Sequence, residues 1–242
     1  MHFRELKMAQ SGPADQMINS QAGIKYWQEA DASDNGMLGG VLGVAGFASV
    51  SRIDLQGSRT FLARLGIGAK RGRNLVATAL DAGAGIGRIT EGLLLHVAEQ
   101  VDILEPVSKF TDPLKDKAGV RHIFNVGLQA WQPPEGVTYD LIWTQWCLGH
   151  VTDDQMVEYL EICKSVLTPN SGVIVVKENQ STSGADMFDA TDSSLVREDG
   201  TFLRLFERAG LKLIKSDIQR GFPETSTRRL YPVKMYALKP AS

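Results

Sequence analysis

The chain has 242 residues, 43% of them hydrophobic, enough to bury a sizeable core in one α/β domain with an N-terminal elaboration. Its 26 basic and 28 acidic residues leave a net charge of −2, so no global field recruits nucleic acid or an anionic membrane. No apolar run approaches the ~20 residues that span a bilayer, and any charged substrate must be recognised locally.

In chain order, residues 1–19 are polar, contain Gly12 and Pro13, and lack the hydrophobic stretch of a secretory signal. They are expected to form a disordered tail, with Met8 an alternative start. Residues 20–242 read as a single domain whose first part, 20–70, is a helical lid. Within it, segments 24–28 and 59–65 and the Gly-rich 36–46 are placed to cover a ligand.

From residue 75 onward, apolar runs alternate with amphipathic stretches. Strands are expected at 75–81, 101–105, 120–126, 139–146 and 172–178. Helical spacing covers 87–99 and 153–167, and a weaker helix runs to Lys117. A helix at 201–209 stops at Gly210, and 211–218 with 231–238 suit an antiparallel pair. The expected architecture is a Rossmann-like α/β fold: a seven-stranded, mostly parallel sheet with an antiparallel closing strand. That sheet matches the methyltransferase variant of the doubly wound fold better than the nicotinamide-binding one. Cys147 and Cys163 lie in apolar segments without metal-ligand spacing; they read as buried thiols, and no metal is expected.

Asp81-Ala82-Gly83-Ala84-Gly85-Ile86-Gly87-Arg88 follows a strand and opens a helix. Its glycines let backbone N–H groups approach a ligand beside a helix N-terminus. A dinucleotide fingerprint needs glycine where Arg88 stands, so pyrophosphate is disfavoured. A methionine-type moiety fits instead: Asp81 orients the ammonium through water or backbone, and Arg88 pairs with the carboxylate. Glu105, closing the second strand, can accept both ribose hydroxyls. Leu128 and Gln129 can present a backbone N–H and an amide to adenine, although Gln129 alone also reads as a surface amide.

Gln145-Trp146-Cys147-Leu148-Gly149-His150 gathers polar and aromatic groups beyond a buried strand. His150 reads either as a base or as a packed or surface residue. Asp186, Asp189 and Asp192 read either as a solvated helix-capping loop or as an acidic wall over the same edge. Adenine methyltransferases carry Asp/Asn-Pro-Pro-aromatic after the fourth strand, unlike Gln145-Trp146-Cys147-Leu148. A cationic amine near Trp146, with carboxylates around it, fits better.

The strings Tyr26-Trp27, Met37-Leu38-Gly39-Gly40, Gln145-Trp146-Cys147-Leu148-Gly149-His150, Val176-Lys177-Glu178-Asn179 and Asp192-Ser193-Ser194 resemble the α-N-terminal protein methyltransferases, fungal members above all. The resemblance runs from about Ile24 to Leu238 and departs at Val41-Leu42, where the family reads Tyr-Gly. It implies S-adenosylmethionine as methyl donor, with S-adenosylhomocysteine as product, held by Trp27, Gly83, Gly85, Arg88, Glu105, Pro106, Val107, Leu128, Gln129 and Gln145. It implies protein N-termini of X-Pro-Lys type as substrates, ribosomal proteins among them. Tyr26, Leu38, Gly39, Trp146, Asn179, Asp189, Ser194 and Tyr231 would contact the peptide, and His150 and Asp192 would act as bases. A monomer in the cytoplasm, with the nucleus also open, completes this expectation. A small-molecule N- or O-methyltransferase and a non-catalytic adaptor for cofactor or peptide remain the alternatives.

Overall fold

In the computed structural model of the chain, the described residues are 13–241. A 3₁₀ turn, Ala14–Met17, leads into α1 (Ser20–Glu29), α2 (Asp34–Met37) and α3 (Val50–Arg64). Then follow β1 (Val76–Ala82), α4 (Arg88–Gly92), β2 (Ala98–Leu104), α5 (Ser108–Thr111) and β3 (Val120–Phe124). β4 (Leu141–Gln145), α6 (Asp153–Ser165), β5 (Val173–Asn179) and a hairpin of β6 (Met187–Asp189) and β7 (Ser194–Val196) come next. The chain closes with α7 (Asp199–Arg208), β8 (Leu211–Ile218) and β9 (Val233–Pro240).

The main sheet has seven strands in the order β3-β2-β1-β4-β5-β9-β8. Its first five strands pair in parallel, and β9 runs antiparallel between β5 and β8. Alternate residues of the central strands feed two cores. Leu80, Ile142 and Ile174 meet Tyr159 and Leu160 of α6 and Phe202 and Phe206 of α7. Ala79, Trp143 and Val175 meet Phe61 and Leu62 of α3 and Ile89 of α4. Each such large side chain, fully buried, contributes about 1.5–3 kcal/mol. Among the described residues no helix is long and apolar enough to cross a membrane.

Three expectations differ from the structure. Residues 87–99 do not form one helix: α4 lasts one turn, a 3₁₀ turn follows at Leu94–His96, and β2 starts at Ala98. Gly92 explains the break, since it weakens the helix and is needed where Leu55 packs; a Cβ there would lie 2.8 Å from Leu55 Cδ1. Of the expected tail, residues 1–12 lie outside the described residues, whereas 13–19 are built into the fold. Asp15 is buried and accepts the Asp153 backbone N–H at 3.1 Å, and the Asn19 side chain caps α1 by accepting the Ala22 N–H at 3.0 Å. The expected lid divides: α1 borders the ligand cleft, but α3 is a sheet-packing helix like any other layer.

Candidate active site

Beyond β1 the chain turns through Gly83, Gly85 and Gly87, with φ of 73°, 55° and 82°. These are left-handed values that favour glycine. Close approach demands it too. A Cβ on Gly83 would lie 2.5 Å from Cys147 Cβ, and one on Gly85 would lie 2.6 Å from Met37 Sδ. Glu105, one residue beyond β2, holds this loop: its carboxylate accepts the N–H of Gly85 and of Val107, each at 2.9 Å. Burial pushes the Glu105 pKa up, and the two N–H groups pull it back in part. A carboxylate offers about four acceptor positions, so two remain for vicinal hydroxyls. Asp81 sits beneath the loop, where it accepts the Thr90 hydroxyl at 2.5 Å. Burial raises its pKa to about 6, and its influence on a ligand passes through the backbone it secures.

The ten residues singled out for the cofactor, from Trp27 to Gln145, all line one cleft at the C-terminal ends of β1, β2 and β4. This is where open α/β sheets bind ligands. Leu128 is buried there and Gln129 stands exposed at the rim. Gly127 makes room, since a Cβ would meet the Gln129 side chain at 2.7 Å. Arg88 opens α4 and donates through Nη1 to Asp54 at 2.8 Å, while its guanidinium carbon lies 5.4 Å from the Trp146 ring centroid. Gln145 accepts the Trp143 indole N–H at 2.9 Å and donates its amide to Asp54 at 3.1–3.2 Å. The donor set suits a nucleoside carrying a zwitterionic amino acid.

The same cleft extends to Trp146 and His150. Trp146 has φ 54°, rare for a bulky residue and a sign of a site held by its surroundings. Its backbone N–H donates to the Lys177 carbonyl at 3.1 Å, and its ring packs on the cluster of Val41, Phe47 and Leu230. Behind it, Glu178 Oε1 accepts the N–H of Cys147 and of Leu148, both at 2.9 Å. Burial lifts the Glu178 pKa to about 7 against the pull of those donors. The Trp146 indole nitrogen and Asn179 Oδ1, at the end of β5, are buried and make no hydrogen bond among the described residues. Buried polar groups are rarely left so.

His150 accepts the Trp27 indole N–H at Nε2, 3.0 Å away. In the neutral ring the proton then belongs on Nδ1. A Cβ on Gly23 of α1 would lie 3.3 Å from both His150 Nδ1 and the Asp192 carbonyl oxygen, so three segments converge there. Tyr26 faces the acidic side: burial raises its pKa first, and the charges of Asp192 and Asp189 add to it. Asp189 accepts the Thr191 N–H at 2.8 Å and stands opposite Ser194 in the β6–β7 hairpin. Asp192 and Ser194 are buried beside it.

Some expected site residues stand away from this convergence. Leu38 is fully buried, so its side chain is core, and only Gly39 beside it is exposed. Tyr231 is buried just ahead of β9 and does not line the cleft. The Asp186 side chain faces the start of α7 instead, accepting the Glu198 N–H at 2.7 Å and the Thr201 hydroxyl at 3.0 Å. Sequence reasoning passed over Asp54 and Arg197. Arg197 is fully buried and braces the turn after β4, donating to the carbonyls of Leu148 and Val151 at 2.7 Å each. Neither residue sits in a recognisable string; a charged residue on the apolar face of an amphipathic segment was the only available signal.

Sheet order, glycine turn and the acid closing β2 define a class I S-adenosylmethionine-dependent methyltransferase. The comparisons narrow the class. Over residues 15–239 the chain matches the family described as AdoMet-dependent proline di-methyltransferases, and it belongs to that family. It is 44% identical to alpha N-terminal protein methyltransferase 1 of Schizosaccharomyces pombe, covering 90% of this chain and 95% of that one. It is 41% identical to N-terminal Xaa-Pro-Lys N-methyltransferase 1 of Danio rerio, covering 88% and 92%. A solved SAM-dependent methyltransferase from Leishmania major superposes with a TM-score of 0.78 at 35% identity, over 91% of this chain and 82% of that one. The chain is thus an S-adenosylmethionine-dependent protein N-terminal methyltransferase.

Proposed function

We propose that this enzyme methylates the α-amine of Xaa-Pro-Lys N-termini, the specificity stated in the name of the Danio rerio relative. The observation that carries the reading is the meeting of the Asp192 segment with α1 beside His150, with Asp189 in the same hairpin, at the end of a cleft that runs from the glycine loop to Trp146 and His150. A cationic peptide end suits those two acids. When bound, S-adenosylmethionine supplies a methyl group on a sulfonium, already a good leaving group. The chain's own residues then have to position a neutral amine and receive its proton.

In this reading Trp146 packs on the substrate proline and first residue, and the Asn179 amide serves a substrate backbone carbonyl. Asp189 faces the third-position lysine, while Ser194 and Tyr231 support the peptide site from behind. Gly39 borders the entrance, with Leu38 shaping it from the core. Tyr26 and Trp27 close α1 over peptide and cofactor. Asp192 takes the amine proton. His150 shares that role when Trp27 releases Nε2, to which its indole N–H now donates. Ribosomal proteins with such N-termini are the proposed physiological substrates, and the enzyme acts as a monomer in the cytoplasm, with the nucleus a second location.

The test is a pair of peptides beginning Ser-Pro-Lys and Ser-Pro-Glu. The first is expected to be methylated at its α-amine and the second not detectably. Equal rates would show that the acidic wall does not face the substrate.

A further inference from the structure

Asp54 lies on α3, outside every string that marks the cofactor site, yet its carboxylate meets three side chains, those of Arg88, Lys177 and Gln145. It has no exposed surface. Arg88 Nη1 reaches Oδ2 at 2.8 Å, Lys177 Nζ reaches Oδ1 at 2.5 Å, and the Gln145 amide bridges both oxygens. Lys177, equally without exposed surface, also donates to Ser58 Oγ and Gln219 Oε1, each at 2.9 Å. Burial pushes the Asp54 pKa up, but the cations of Lys177 and Arg88 outweigh it and hold the carboxyl below its ordinary range.

The arrangement is uneven. Lys177 is saturated with acceptors, whereas Arg88, with a side chain only 7% exposed, makes one hydrogen bond among the described residues. A guanidinium has five N–H donors in a fixed fork, and a nearly buried one with most of them unused is a receptor for an acceptor group. It opens on the cleft. Arg side chains are long and lose much rotamer freedom when held in one pose. Asp54 holds this one, and holds the neighbouring Gln145 amide with it.

We infer that Asp54, anchored by Lys177, is a positioning residue that presets Arg88 as the receptor for the carboxylate of the cofactor's amino-acid end. This rests on the cofactor site alone and not on the choice of peptide. It also gives α3 a task in the site: the helix delivers the carboxylate that orients the cofactor's anion receptor. Through the Arg88–Trp146 contact the same clamp borders the surface proposed for the peptide.

Asp54→Asn alone strands Lys177 as a buried cation and can fail to fold. The informative protein is therefore Asp54→Asn/Lys177→Met, which removes one charge of each sign. Calorimetry would compare S-adenosylhomocysteine with methylthioadenosine, which has the nucleoside and thioether but no amino-acid end. The folded double variant is expected to bind S-adenosylhomocysteine roughly 10- to 100-fold more weakly than wild type, the loss of a well-held charge-assisted hydrogen bond. Its affinity for methylthioadenosine should match wild type. Equal affinity of the two proteins for S-adenosylhomocysteine would overturn the inference, as would an equal loss for both ligands. Peptide methylation by the wild type reads the proposed function separately.

Discussion

Asp192 and His150 differ in how they are held, and that difference sets their expected roles. The His150 Nε2 lone pair is committed to the Trp27 indole at 3.0 Å, whereas Asp192 sits buried at the meeting of α1 and the β6–β7 hairpin. Asp192→Asn is expected to lower kcat by about 10²–10⁴, the usual contribution of a general base. His150→Asn should lower it less. Raising the pH through the α-amine range of about 7.7–8.0 should partly restore both, since more amine then arrives neutral. Steady-state rates at pH 7 and 9 check this, and wild-type kcat in both variants at pH 7 would contradict it. Glu178 supplies a second residue-scale test. Its folded pKa of about 7 lies above the ordinary 4.5, so the folded chain binds the proton more tightly than the unfolded chain. Its contribution to stability is full below pH 4.5 and is lost as pH rises through 7; Asp81, raised from 3.8 to about 6, has the same sign. Glu178→Gln keeps an oxygen for the Cys147 and Leu148 N–H groups and cannot ionise. At pH 8 it should be more stable than wild type, by at most roughly 3 kcal/mol, with the gain fading toward pH 5. Denaturation midpoints across that range measure it, and parallel profiles for the two proteins would refute it.

At the scale of elements, α1 is the thinly anchored wall of the site, with Gly23 alone among its residues buried. Polar contacts at its start and the ring of Trp27 against His150 tie it to the rest of the fold. Its Asn19 cap accepts the Ala22 N–H, and the Asn19 N–H donates to Ser193 Oγ at 2.8 Å. Tyr26 and Trp27 ride on this helix. Asn19→Ala should cost the helix about 1 kcal/mol locally. It is expected to speed hydrogen exchange in α1 and raise the KM of cofactor and peptide a few-fold, with little change in the global melting temperature. Unchanged exchange in α1 would show that the cap does not hold it. The elements that were readable from sequence are those with strong periodicity, such as β5 and α6, and those with forced chemistry, such as the Gly83–Gly87 turn. The β6–β7 hairpin was not readable. Strands of three residues each leave no period to detect, and the acids around it read either as a solvated capping loop or as an acidic wall.

The whole molecule shows why part of the site stays hidden in sequence. Glu105 was legible because it closes a strand beside a glycine turn, and both features are local. Asp54 and Lys177 stand 123 positions apart and are joined only by the packing of α3 on β5. Their types looked ordinary, a helix acid and a strand lysine, until burial of both made them a pair. Leu38 was legible as a position and not as an orientation, because adjacency along the chain says nothing about which side faces the core. A net charge of −2 over 242 residues means that substrate choice rests on local groups, chiefly the acids facing Tyr26, rather than on a global field. The most direct measurement is therefore mass spectrometry of a Ser-Pro-Lys peptide, with free or acetylated N-terminus, after incubation with S-adenosylmethionine. The free peptide should gain methyl groups confined to its α-amine and the acetylated peptide none. Methylation of the acetylated peptide on its lysine side chain would contradict the account.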